Sequence, residues 1–174
     1  STRSAGRPRT AMSDGPYLFD VGVVALAHSD APVRDTPLSY VKRAIAGEID
    51  AVVPYASVVG AHNALTTYYG LSNAPASRLM ENFLDAGEIH WYDGMSERLL
   101  RDGFDLAREQ NVGGWDGYYG QVALSEGVET ILTIDDDFEG LDGVEAEVGF
   151  GPEGPTRECR LSSVSRNRRV KRPR

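Results

Sequence analysis

The sequence predicts an α/β domain with a mostly parallel central sheet flanked by helices, and three observations carry that expectation. Short apolar runs of strand length alternate with longer segments whose apolar residues recur at helical spacing. The run VETILTI, residues 128–134, rich in aliphatic and β-branched residues, reads as the clearest buried strand. A chain of 174 residues suits one domain with a sizeable core plus tails.

Taken in order, Tyr17 to Phe19 is an apolar run that ends at Asp20, and VGVVALAH continues as a short buried segment. Asp35 before TPLSYVKRAIAG reads as an N-cap, with Pro37 in the first turn and Gly47 as the stop. IDAVVPY is a short strand. SVVGAHNALTTYYG sets Val58, Ala61, Leu65, Tyr68 and Tyr69 at helical spacing, with Gly70 behind them as a C-cap. ASRLMENFLDAG is amphipathic, directing Leu79, Met80, Phe83 and Leu84 inward.

EIHWY is a strand, and Ser96 then caps SERLLRDGFDLAREQN, with Glu97 at the positive start of the helix. Gly113, Gly114, Trp115 and Asp116 lead into GYYGQVALSEG, a helix that stops at Gly127 and feeds VETILTI. GVEAEVGF reads as a last edge strand. Alternation of this kind belongs to layered α/β architectures. Residues 1–15 read as a disordered extension, 16–150 as the domain, and 151–174 as a disordered basic tail. Met12 is a second candidate start, and the basic tail suits RNA phosphates, the acidic body, or an origin in read-through.

Charge is distributed unevenly. The net charge is −8, with 18 basic and 26 acidic residues. Three of the basic residues lie in 1–11 and eight in 157–174, leaving seven; all but one of the acidic residues lie between these ends. Residues 12–156 therefore carry about 18 excess negative charges, with Lys42 the only lysine among them. Such a surface suits a halophilic, high-salt cytoplasm, where the Debye length falls to about 3 Å at 1 M. One cysteine, Cys159, excludes an intramolecular disulfide and a cysteine zinc cluster. No apolar run reaches the roughly 18 residues of a membrane span, so a soluble, cytoplasmic protein is expected.

Most carboxylates in so acidic a chain serve solvation, and Glu81, Asp85, Glu97, Asp102, Asp105 and Glu109 read as outer helix faces. Others fall where parallel sheets gather function, at the carboxyl ends of strands. Asp20 closes the first strand; Asp135, Asp136 and Asp137 follow ETILTI; Asp116 opens the helix before that strand. Carboxylates gathered at one sheet edge suit a hard divalent cation such as Mg²⁺ or Mn²⁺, which takes oxygen ligands and relieves their mutual repulsion. The spacing leaves both readings open, an acidic surface turn or one wall of a cation site.

At these residues the chain resembles the PIN-domain ribonucleases, and within them the VapC-type toxins and their archaeal relatives. LFDVGVVALA is similar to the family's opening strand, with Asp20 as its aspartate. GGWDGYYGQVALSEGVETILTIDDDFEGLDGV is similar to its second half, where Asp116 opens a helix and Thr133, Asp135, Asp137 and Phe138 fill a Thr-x-Asp-x-Asp-Phe pattern. AVVPYASVVGAHNAL resembles the second strand and helix. The likeness spans residues 16–150.

The resemblance implies a PIN-like three-layer fold and a divalent-metal-dependent endoribonuclease, with Mg²⁺ or Mn²⁺ activating water against an RNA phosphodiester. It implies Asp20 as a central metal ligand, Asp116 as a ligand or water-mediated partner, Asp135 as the last ligand or base, Asp137 in support, and Thr133 orienting a carboxylate. It also implies an RNA substrate, an antitoxin partner in a toxin–antitoxin pair, and a homodimer. Two positions depart from the family pattern: Gly60 stands where a glutamate is usual, and Gly22 where a small polar residue is usual. The alternative is a catalytically weakened PIN domain that binds RNA or a protein, and restoration of cleavage by Gly60→Glu would point to it. A third class, an aspartyl-phosphate enzyme using Asp20 as nucleophile, lacks a second aspartate at position 22 and a nearby lysine.

His28, His62 and His90 are too scattered for a histidine metal site, with His62 the nearest to an exception. Trp91 reads as core, whereas Trp115, beside Asp116, is a candidate substrate contact through base stacking. Tyr68, Tyr69, Tyr118 and Tyr119 read as core or dimer-contact aromatics. Arg34, Arg43, Arg78, Arg98 and Arg101 are candidate basic groups to meet RNA, as are the basic ends of the chain.

Overall fold

Tyr17–Phe19 forms β1, all three residues buried, and the alternation of its side chains decides what packs on either side. Tyr17 and Phe19 face one core and Leu18 the other. The chain is a computed structural model that describes residues 15–128, 130–134 and 159–160. After β1 come α1 (Val21–His28), α2 (Asp35–Ile45), β2 (Ala51–Pro54), α3 (Tyr55–Thr67), α4 (Asn73–Leu84), β3 (His90–Tyr92), α5 (Glu97–Gln110), α6 (Gly114–Glu126), β4 (Thr130–Leu132) and β5 (Cys159–Arg160).

The strand order is β3-β2-β1-β4-β5. The first four strands are mutually parallel, with Leu18 opposite both Val52 and Ile131. β5 joins β4 antiparallel through the pair Ile131 and Cys159. The core divides into two layers. Helices α1 to α4 cover one face with Phe19, Val53 and Leu132; α5 and α6 cover the other with Leu18, Val52 and Ile131. This is the three-layer, PIN-like arrangement the sequence predicts.

The order fixes where a site belongs. From β1 the chain runs outward to β2 and β3, then returns to the opposite side of β1 for β4. Successive crossovers therefore diverge on either side of β1, which opens a crevice at its carboxyl end. Asp20 is the first residue past that end, and its backbone N–H donates to the Leu132 carbonyl at 3.3 Å, tying the ends of β1 and β4 together.

Several expectations change in detail. VGVVALAH is a helix whose six central residues are all buried, so its pattern lacks a polar face and shows no helical period. Asp35 is the first residue of α2, and Arg34 takes the cap position without a side-chain bond. Met80 and Phe83 point inward as expected, but Leu84, at the end of α4, is 39% exposed. The GVEAEVGF edge strand lies outside the described residues. The two residues of β5 lie within the segment 151–174 that the sequence reads as a tail. Ser96 caps α5 as predicted, accepting from the Leu99 N–H at 3.1 Å.

Candidate functional site

Asp20 is held by its own position in the chain. It is the N-cap of α1, and its Oδ1 accepts from the Val23 N–H at 2.9 Å. A carboxylate there is favoured by the unpaired N–H groups and positive end of the helix. Asp116 lies in the first turn of α6 and is likewise half-buried. Its place is set by a close crossing of α5 and α6, where Gly117 packs backbone to backbone on Gly103; a Cβ on Gly117 would collide with the Gly103 carbonyl oxygen.

These two aspartates, distant in sequence, line one cleft of about 310 Å³. Gly22, Gly60, Asn63, Tyr68, Trp115 and Ile134 also line it. Asp135, Asp136 and Asp137 lie outside the described residues; Ile134, on the cleft wall, is the residue before them. Thr133 is half-buried, and its hydroxyl donates to the Ile134 carbonyl at 3.2 Å.

Among the described residues, no group of three or more His, Cys, Asp or Glu side chains is arranged to hold a metal ion. The side-chain oxygens of the described residues that line the cleft belong to the carboxylates of Asp20 and Asp116, the amide of Asn63 and the phenols of Tyr68 and Tyr119, and none of these residues carries sulfur or imidazole. All are oxygen donors suited to a hard cation that keeps several waters. A divalent ion therefore fits the chemistry of the wall, and a further carboxylate would have to come from the segment after Ile134.

The two glycines that depart from the family pattern have neighbours of their own. A Cβ at position 60 would lie 2.5 Å from Cγ2 of Val21, and one at position 22 would lie 2.5 Å from Cγ1 of Ile134. Apolar side chains thus fill the space beside both glycines. A glutamate at position 60 requires Val21 to move.

Behind the cleft runs a buried chain of hydroxyls that the sequence does not predict. The Val21 N–H donates to Tyr119 Oη at 3.0 Å, and Ser57 Oγ donates to the Phe19 carbonyl at 3.0 Å. The two hydroxyls are 2.9 Å apart. Because the Ser57 proton is committed to Phe19, Tyr119 donates to Ser57. The relay ties α3 and α6 to the residues on either side of Asp20. Burial, and then the negative charge of Asp20, push the Tyr119 phenol well above its ordinary range, so it remains protonated. Helical spacing alone could have pointed to Asn63, one turn beyond Gly60, and to Tyr119, one turn beyond Asp116. Nothing in the sequence announces the contact with Ser57.

Other predicted contributors sit elsewhere. His62 pairs with Ser77 of α4 at 3.0 Å and is not on the cleft wall. His28 is packed on Phe83 and bonded to the Val24 carbonyl, and His90 pairs with Glu126. Trp91 is half-buried, its ring N–H donating to the Ala86 carbonyl. Arg98 and Arg101 engage Asp102 and Glu97 along the outer face of α5, Arg43 reaches Glu48, and Arg34 donates to the Ser29 carbonyl. None of the described arginines lines the cleft. Tyr69, Tyr118 and Tyr119 are buried as expected, but Tyr68 is 57% exposed at the cleft.

No protein-family model matches the sequence, and no curated protein matches it. Among solved structures, the fold is similar to that of VapC20 from Mycobacterium tuberculosis, a toxin described as cleaving the sarcin–ricin loop. The TM-score is 0.54 at 15% identity, covering 75% of this chain and 97% of that one. At this identity the likeness establishes a PIN-like fold and leaves activity to be argued from the site.

Proposed function

We propose that the chain is a divalent-metal-dependent endoribonuclease of PIN type that hydrolyses RNA phosphodiesters. The observation that carries the reading is the meeting of Asp20 and Asp116 in one cleft at the switch point of a PIN-like sheet, with Ile134 leading from its wall into the Asp135–Asp137 run. Asp20 and Asp116, with Asp135, would hold Mg²⁺ or Mn²⁺, and Asp137 would support them. When bound, such a cation lowers the pKa of a coordinated water and offsets charge on the phosphate.

The chain's own contributions come from its geometry. The α1 N-terminus fixes one oxygen of Asp20, so the carboxylate is oriented before any ligand arrives. The Gly103 and Gly117 crossing holds Asp116 on the facing wall. Asp135 is assigned proton acceptance from the attacking water, and Thr133 the orientation of its neighbour. In keeping with the VapC likeness, the reading includes an antitoxin partner; a homodimer and a cytoplasmic, high-salt setting rest on the sequence alone. No described helix is long and apolar enough to cross a membrane.

The test is cleavage of a structured RNA in high KCl with Mn²⁺. The expected result is cutting that stops with EDTA and is lost in Asp20→Asn and Asp135→Asn. Cutting that survives EDTA, or survives both substitutions, overturns the proposal. A second reading has its own support, because Val21 fills the space beside Gly60 where the family usually has a carboxylate. A PIN domain that binds RNA or protein without cutting would then give RNA binding with no cleavage at any Mn²⁺ concentration.

A further inference from the structure

We infer that the cleft carries a nucleobase subsite, formed by Trp115 and Tyr68, that takes an unpaired base of the RNA. The inference rests on the nuclease reading for the identity of the ligand, and on the aromatic geometry for the subsite itself. Two large rings from different elements, the start of α6 and the end of α3, are 54% and 57% exposed on the cleft. Of the five aromatic residues in these two stretches, Tyr69, Tyr118 and Tyr119 are buried, and Trp115 and Tyr68 are the two that present an exposed ring.

Trp115 is held in advance of any ligand. Its ring stacks on Tyr119 at 5.7 Å and 22°, and Tyr118 meets it edge-on at 6.0 Å and 84°. One face is therefore backed by a ring whose hydroxyl is anchored to the first residue of α1, while much of the indole remains open to solvent. A ring fixed in this way loses little freedom when a base stacks on it.

Charge and size make the base the recognisable part of the ligand. The cleft wall holds two carboxylates and no described arginine or lysine, so no described side chain there supplies positive charge to the phosphate, and in EDTA none comes from a divalent cation. Every base has a neutral π-face, and stacking on it is indifferent to the charge of the cleft. At about 310 Å³ the cleft lies at the small end of the roughly 300–1,000 Å³ range of ligand sites, fitting one nucleotide rather than a duplex. Bases inside a helix have both faces covered, so the subsite selects a looped or extruded nucleotide.

The test measures binding apart from cleavage. Labelled single-stranded oligouridylate and a duplex RNA of equal length are titrated onto the full chain in EDTA and 1 M KCl, and anisotropy is followed. The expected result is tighter binding of the single strand, weakened at least about fivefold by Trp115→Ala and by Tyr68→Ala, and largely kept by Trp115→Phe. Mn²⁺ affinity should stay as in the parent protein; Trp115→Phe and Tyr68→Ala should keep the parent thermal midpoint, whereas Trp115→Ala loses the stack on Tyr119 and is assayed well below its own midpoint. In a Trp91→Phe background, adenosine monophosphate should quench the remaining tryptophan. Equal binding of single strand and duplex, or alanine variants within twofold of the parent, overturns the subsite. If the strand binds through these rings but no Mn²⁺ binding or cutting occurs, the nuclease reading falls and the subsite stands. If cutting persists while the alanine variants bind unchanged, only the subsite falls.

Discussion

Tyr119→Phe separates the hydroxyl relay from the ring that bears it. The phenyl ring keeps its place beneath Trp115, so core packing and the stacked pair survive. The losses are the acceptor for the Val21 N–H and the donor to Ser57. A buried donor left unpaired costs about 1–3 kcal/mol, and a lost internal hydrogen bond a net of about 1 kcal/mol. Val21 is half-buried, which places the first cost at the low end, and Ser57 keeps its bond to Phe19. The expected loss is about 2 kcal/mol, a large share of the roughly 5–15 kcal/mol that holds a domain folded. Urea unfolding should show a lower midpoint with an unchanged slope. Mn²⁺ affinity should fall a few-fold, because the turn that presents Asp20 is loosened. The phenol gives a second signature. Its folded-state pKa lies above the unfolded value of about 10, so its stabilisation is complete below pH 10 and is lost as pH rises beyond it. The variant should lack that contribution to alkaline destabilisation. A stability change below about 0.5 kcal/mol would refute the assignment of the relay as a positioning device.

Three further outcomes depend on single side chains. Burial lowers the His28 pKa below 6.5, so the unfolded chain binds this proton more readily. The stability it governs is present above pH 6.5 and declines as pH falls toward its folded-state value; His28→Gln should remove that decline in denaturation curves taken from pH 7.5 to 5. The Tyr69 hydroxyl is buried without a hydrogen-bond partner among the described residues, and burial pushes its pKa up to about 12. Tyr69→Phe should therefore stabilise by about 1 kcal/mol, read as a higher urea midpoint. Gly60→Glu alone should cost about 1–3 kcal/mol by thermal unfolding, through the contact with Val21, and pairing it with Val21→Ala should recover most of that loss.

The fold is legible in the sequence where one face of an element meets water. Helix α4 reads correctly because Met80 and Phe83 alternate with exposed residues, and α5 because its outer face carries the pairs Glu97–Arg101 and Asp105–Arg108. Helix α1 is harder to read, since a segment buried on all sides has no polar face to mark its period. Asp20 and Asp116 are visible because strand ends and helix starts are positions that local sequence marks. Tyr68 misleads because its helical spacing matches that of buried neighbours, and only the end of α3 places it on the cleft. The Tyr119 to Ser57 contact joins helices on opposite faces of the sheet, so no local pattern encodes it.

The same distinction bears on the missing carboxylate. From sequence, Gly60 is a simple deletion that one substitution would reverse. In the fold, Val21 occupies the space that a side chain at position 60 would enter, and Val21 is also the residue whose N–H is held by Tyr119. A change at position 60 therefore acts on the turn that orients Asp20 as well as on the ligand count. A failed rescue by Gly60→Glu alone would be uninformative about catalysis, because the glutamate and the Asp20 turn compete for the same volume. Val21→Ala with Gly60→Glu frees that volume while leaving the backbone N–H of residue 21 for Tyr119. If this double variant gains Mn²⁺ affinity without gaining cleavage, the proposed cation site can be completed at position 60 and the binding-only reading is favoured. If it gains both, Gly60 and Val21 together limit cation binding and cleavage in the parent chain, as the second reading expects.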